Sequence, residues 1–195
     1  MGYQNIILEP EGVRKLNPDI KLDVNAIAKG YGVDQVFEWI LENGFKNIFV
    51  EIGGEVRCAG KNQSGQLWMV GIIDPKISAS PGDELSAIVN LDGKAMATSG
   101  NYRNFIKKNG QIWGHTIDPR TGFPVETDVL SVTVITNSCM EADGWATALM
   151  VLNFEEGYKL VSDGTDLNAL WIVEAKNGQR KIEKSRGFII ENPKY

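Results

Sequence analysis

The strongest alternation in the chain lies over residues 130–136, where apolar and hydroxyl side chains take turns and β-branching is heavy, which predicts a strand with one buried face. Immediately after it, Ser138 and Glu141 have the spacing of a capping box, in which a hydroxyl accepts from a free backbone N–H and the glutamate reaches back, so a helix is expected to start at Ser138. A second helical pattern comes from Val33, Val36, Phe37, Ile40 and Leu41, with Gly44 placed to end it. Gly30 and Gly32 precede this pattern and read as interruptions between a strand and a helix.

Short strands are expected at 6–8 and 21–24. A hairpin is expected from 47–52 through Gly53-Gly54 to 55–59. Further strands follow at 67–73, 87–91 and 95–98, separated by Gly and Pro. The C-terminal end reads as a helix over 155–162, then strands 169–174 and 180–184 joined at Asn177-Gly178. Runs of short strands with a few helices predict an α+β domain with a largely antiparallel sheet and packed helices.

With 195 residues and 43% hydrophobic content, one sizeable core and one domain are the simplest organisation. The net charge is −5 without any basic run, which argues against a sequence-independent grip on nucleic acid, so an anionic ligand needs local cations. Cys58 and Cys139 lie far apart without metal spacing and read as buried free thiols. The opening MGYQNIILEPEG has neither the basic nor the apolar region of an export signal, and no apolar run reaches membrane-spanning length.

Several residues carry candidate chemistry. Asp143 and Thr147 stand one turn apart on a helix, so a carboxylate and a hydroxyl can converge on a hard cation or polar ligand; the plain alternative is a carboxylate favoured by the helix dipole beside an ordinary small residue. His115, the chain's only histidine, either serves catalysis or satisfies a turn. The segment Asp118-Pro119-Arg120-Thr121-Gly122 forms a compact loop that can turn an arginine and backbone N–H groups toward an anion, or in which Arg120 only braces its own turn. Lys29, directly before Gly30, can meet a phosphate at a helix start or stay solvated. Gly53-Gly54 either lets a ligand approach the backbone or only supplies a turn, and residues 98–102 either contact a flavin or nucleotide or form a plain turn.

Taken in order, DVNAIAKGYGVD, VEIGGEV, ATSGNY, HTIDPRTG and EADGWATALMVL resemble the ApbE-type flavin transferases, FAD:protein FMN transferases. The five motifs span most of residues 21–152. The resemblance implies an ApbE-like (T-fold-like) domain. It places Asp23 and Lys29 at an FAD site, gives the Ala26 carbonyl, Asp143 and Thr147 to Mg²⁺, and lets Ile117 contact FAD through its backbone. Gly53, Gly54, Ser99 and Gly100 are expected to line the pocket. The reaction implied is attack by a Thr or Ser hydroxyl of an acceptor flavoprotein on the FMN phosphorus of FAD, with AMP leaving. His115 is the candidate general base, or else it orients FAD.

The family's acceptors imply partners such as flavin subunits of ion-translocating NADH:quinone-type reductases, and a periplasmic or cell-surface location with a membrane anchor in the full-length protein. Members of the family carry an N-terminal portion before the first motif, so residues 1–195 are expected to be a single domain forming the C-terminal part of the family unit, with the N-terminal portion absent. Two other functions stay open at this point: an Mg²⁺-dependent FAD pyrophosphatase giving FMN and AMP, and a non-catalytic flavin-binding domain.

Overall fold

The computed structural model describes residues 2–75, 85–100, 105–108, 111–114, 116–163, 167–175 and 177–191, with backbone alone for 105–108 and 111–114. A 3-10 turn at Tyr3–Asn5 leads into the hairpin β1 (Ile6–Glu9) and β2 (Gly12–Lys15), and then into helix α1 (Asn25–Glu42). Strands β3 (Ile48–Ile52), β4 (Glu55–Ala59), β5 (Trp68–Ile73), β6 (Leu85–Leu91) and β7 (Ala95–Gly100) follow. Next come β8 (Phe105–Lys108), β9 (Gln111–Gly114) and β10 (Val129–Thr136). The chain ends in α2 (Cys139–Val151), α3 (Phe154–Ser162), β11 (Asn168–Glu174) and β12 (Arg180–Lys184).

The main sheet has six strands in the order β12-β11-β10-β7-β4-β3, and every pairing in it is antiparallel. The fold is therefore α+β with an antiparallel sheet, as the strand pattern predicts. Apolar residues on the two faces feed different cores. Val132, Val134 and Ala97 pack with Ala142, Ala146, Leu149 and Met150 of α2, while Val56, Met96, Leu170 and Ile172 pack with Ile72, Val89 and Leu91 of the β5-β6 hairpin. A smaller cluster of Val33, Phe37, Ile48, Val50 and Cys139 holds α1 against the sheet edge and α2. The strand β10 is thus buried on both faces, not on one: Ser131 and Thr133, which alternation assigns to an open side, are buried as well.

The N-terminal part departs most from expectation. No strand forms at 21–24: β1 pairs instead with β2 through a tight turn, and Lys15 Nζ ties the following loop by donating to the Pro18 and Ile20 carbonyls at 2.7 and 2.8 Å. Helix α1 begins at Asn25, eight residues before the predicted Val33 start, and runs straight through Gly30 and Gly32. The first of these glycines is there for packing: a Cβ on Gly30 would lie 2.3 Å from the Cys139 carbonyl oxygen of α2. Glycine thus permits close approach of two helices at a modest cost in helix propensity. The buried stripe of α1 is Gly30, Val33, Asp34 and Phe37, whereas Val36 and Leu41 remain exposed.

Several predicted features are present. The Gly53-Gly54 turn joins β3 to β4 with positive φ at both glycines (65° and 104°). Ser138 caps α2 and accepts from the Glu141 N–H at 3.4 Å. Cys58 and Cys139 are buried free thiols. Of the segment 98–102, Thr98, Ser99 and Gly100 continue β7, whereas Asn101 and Tyr102 lie outside the described residues.

Candidate functional site

A cleft of about 1090 Å³ opens between α1, α2, the β3-β4 turn, β5, β7 and the segment after β9. All ten described candidate residues line it: Asp23, Ala26, Lys29, Gly53, Gly54, Ser99, Gly100, Ile117, Asp143 and Thr147. His115 lies outside the described residues, next to Thr116 and Ile117, which line the cleft. The volume is at the upper end for small-molecule sites and suits an extended ligand.

The cleft has two kinds of wall. Phe49, Val56, Val70, Ile72 and Met96 supply apolar surface for a flat ring. Oxygens and a cation also line it. Asp23 faces the start of α1, where its Oδ1 accepts from the Asn25 N–H at 2.8 Å. Lys29 sits in the second turn of α1, not in a loop, and its ammonium is paired with Glu55 Oε1. Glu55 is 2% exposed and its Oε2 finds no partner among the described residues. Burial pushes its carboxyl above the usual range, against the pull of Lys29. Gly53 matters to this pair: a Cβ there would press on Lys29 Cδ at 3.3 Å and approach Glu55 Oε2 at 3.6 Å.

Asp143, 3% exposed, lies on α2 against α1, and its Oδ2 accepts from the Gly30 N–H at 3.0 Å. In a regular helix that N–H would serve the Ala26 carbonyl, so Ala26 and Asp143 are drawn to one donor. Burial raises the Asp143 carboxyl above its ordinary value; the Gly30 bond and Lys29 only partly offset this. One turn further on, Thr147 Oγ1 meets Ser99 Oγ at 3.1 Å. A desolvated carboxylate, a hydroxyl and a backbone carbonyl form a hard oxygen set that fits Mg²⁺ better than a softer metal. No three His, Cys, Asp or Glu side chains cluster in metal-binding fashion among the described residues, so a cation here would rest on one carboxylate and neutral oxygens.

Arg120 is engaged elsewhere. It forks onto Asp118 at 2.8–3.1 Å and holds that carboxyl below the usual range, while the Gly122 N–H closes the turn on the Asp118 carbonyl at 2.7 Å. It braces the loop that presents Ile117 and Pro119 to the cleft.

Sequence reasoning missed Glu55 and Asp34. An acidic residue directly after Gly-Gly, opening a strand whose neighbours Val56 and Cys58 are buried, is the available signal for Glu55. Asp34 is buried on α1 and gathers four donors: Ser138 Oγ at 2.7 Å and the Cys139 N–H, Met140 N–H and Arg57 Nη1 each at 2.9 Å. Burial raises its pKa, but the Met140 and Cys139 amides, Ser138 and Arg57 outweigh it and hold the carboxyl below the usual range. Arg57 also pairs with Glu38 at 2.8 Å and lies over the Phe37 ring at 4.2 Å.

Comparison with known proteins identifies the relatives of this chain. The ApbE family profile matches residues 1–171. The FAD:protein FMN transferase of Vibrio cholerae is 38% identical over 184 residues, covering 94% of this chain and 54% of that protein. The protein of the same name from Treponema pallidum is 30% identical, covering 92% of this chain and 50% of its own. Among solved structures, the flavin transferase ApbE from Vibrio cholerae superposes with a TM-score of 0.83 at 37% identity, covering 96% of this chain and 58% of that one. The ApbE protein of Thermotoga maritima gives 0.79 at 30% identity, covering 95% and 58%. The chain therefore spans about half the length of the relatives it matches, and with that profile match and this cleft it belongs to the ApbE family.

Proposed function

We propose that this chain carries the Mg²⁺ and FAD site of an FAD:protein FMN transferase. The observation behind the reading is the convergence of Asp23, Ala26, Lys29, Ser99, Asp143 and Thr147, from separate parts of an ApbE-family chain, on one cleft. The Ala26 carbonyl, Asp143 and Thr147 would hold Mg²⁺. When bound, the metal neutralises a pyrophosphate and stabilises charge on the departing phosphate.

The chain's own groups do the rest. Lys29, steered by Glu55, offers the cleft a half-exposed cation for a phosphate oxygen. Ser99 orients the Thr147 hydroxyl, and the apolar wall around Phe49 and Ile72 receives a ring. The acceptor hydroxyl oxygen forms a bond to the FMN phosphorus as the P–O bond to AMP breaks, and its proton passes to a base. His115, the only imidazole in the chain, is the assigned base. The acceptor is a flavoprotein such as a flavin subunit of an ion-translocating NADH:quinone-type reductase, and the reaction belongs to the periplasmic or cell-surface side. Among the described residues no helix is long and apolar enough to cross a membrane.

Incubation with FAD, Mg²⁺ and an acceptor domain tests the reading: a fluorescent acceptor band on a denaturing gel together with released AMP is the expected result. Free FMN and AMP without a labelled band would make the chain a pyrophosphatase, and no AMP at all would make it a binding domain. With activity present, His115→Asn should slow transfer by about 10²–10⁴-fold and remove the limb of the pH profile that falls toward acid. Weaker FAD binding with unchanged turnover would make His115 a binding residue.

A further inference from the structure

The two helices that would carry the metal ligands cross in a regular register. Gly30 of α1 donates to Asp143 of α2, Ile27 Cγ2 lies 3.2 Å from where a Gly144 Cβ would sit, and Ala26 and Thr147 both face the cleft. Each turn forward along α1 meets one turn back along α2. The next rung away from the cleft is Asp34, which meets the first turn of α2 at Ser138, Cys139 and Met140. A helix start normally takes its cap from its own chain just upstream. Here the Ser138 hydroxyl accepts from the Glu141 N–H, a carboxylate 105 and 106 residues away in sequence closes the Cys139 and Met140 N–H groups, and Ser138 turns its hydroxyl proton toward that carboxylate.

We infer that Asp34 is a positioning residue for the metal site: by capping α2 from α1 it sets the register that brings the Ala26 carbonyl, Asp143 and Thr147 together. The inference rests on the Mg²⁺ reading given above. Its geometry is independent of that reading and has two features that a generic packing contact lacks. Both carboxylate oxygens are used, Oδ1 by the Cys139 N–H and Arg57, and Oδ2 by the Ser138 hydroxyl and the Met140 N–H, so translation of α2 along α1 breaks several bonds at once. The crossing also leaves no slack, since Gly30 already lies against the Cys139 carbonyl. Arg57, reaching from β4 to Asp34 and Glu38, ties this rung to the sheet.

Mg²⁺ titration calorimetry on four proteins tests the inference: wild type, Asp34→Asn, Ser138→Ala and Val33→Ala. Val33 is fully buried on α1 beside Asp34 and serves as the control for general loosening. Asparagine keeps the shape but offers one acceptor oxygen in place of two. Asp34→Asn should weaken Mg²⁺ binding by about 10–100-fold, the range for partners that orient a ligand set, with Ser138→Ala changed in the same direction by less. Val33→Ala should lower the melting temperature of the metal-free protein and keep wild-type affinity. Should Asp34→Asn not fold, Ser138→Ala against Val33→Ala decides the matter. Wild-type affinity in Asp34→Asn, or an equal loss in Val33→Ala, would overturn the positioning role while leaving the metal site standing. A wild type that binds no Mg²⁺ would overturn both.

Discussion

Two ends of the same helix crossing hold buried carboxylates in opposite states. At the capped end, Asp34 has four donors and its carboxyl lies below the usual range. At the cleft end, Asp143 has the Gly30 N–H and Glu55 has Lys29, and burial leaves both carboxyls above the usual range. A fully satisfied charge fixes structure; an under-satisfied one is available to a ligand. The protein thus places its rigid rung one helical turn from its receptive one.

The comparison can be broken most severely at Gly30, which donates to Asp143 and lies against Cys139. Gly30→Ala puts a methyl 2.3 Å from a backbone oxygen, so the helices must separate; a loss of about 3 kcal/mol, read from denaturant unfolding, is expected. Asp34→Asn removes charged hydrogen bonds from buried amides and should cost about 2–3 kcal/mol. Asp143→Asn should go the other way in metal-free protein, raising stability, because it relieves a desolvated charge. A loss as large as that of Asp34→Asn would erase the distinction between the two ends.

The pH dependence sharpens the same point. A carboxyl lowered on folding stabilises the native state above its unfolded value and loses that contribution as pH falls through the folded value. The stability gap between wild type and Asp34→Asn should therefore be constant near neutrality and close below about pH 4, measured by urea unfolding across pH. The smallest effect concerns the thiols. Burial, aided by Asp92 near Cys58 and by Asp34 and other acidic neighbours near Cys139, pushes both up to about 12, so neither should react with a thiol reagent in native protein at pH 8.

Local chemistry was legible in the sequence. The Ser138 cap, the Gly-Gly hairpin, the antiparallel strands and the i,i+4 pair Asp143 and Thr147 follow from spacing alone, and five ordered motifs named the family. The start of α1 was not legible, because Gly30 and Gly32 break a propensity pattern and the compensation comes from Cys139 on another helix. Likewise Asp34 reads as an ordinary polar helix position until α2 is laid against it, and the hairpin β8-β9 went unread. The two-faced burial of β10 was hidden because hydroxyl residues fill its inner positions: Thr133 pairs with Thr98 at 2.8 Å instead of facing water.

The claim on which the rest depends is that α1 and α2 hold a divalent cation between them. Calorimetric titration of Mg²⁺ into wild type, Asp143→Ala and Thr147→Val tests it most directly. Binding in wild type, its loss in Asp143→Ala and a partial defect in Thr147→Val are the predicted results, since one carboxylate carries the charge of the proposed ligand set. Equal Mg²⁺ affinity in wild type and Asp143→Ala would contradict the account.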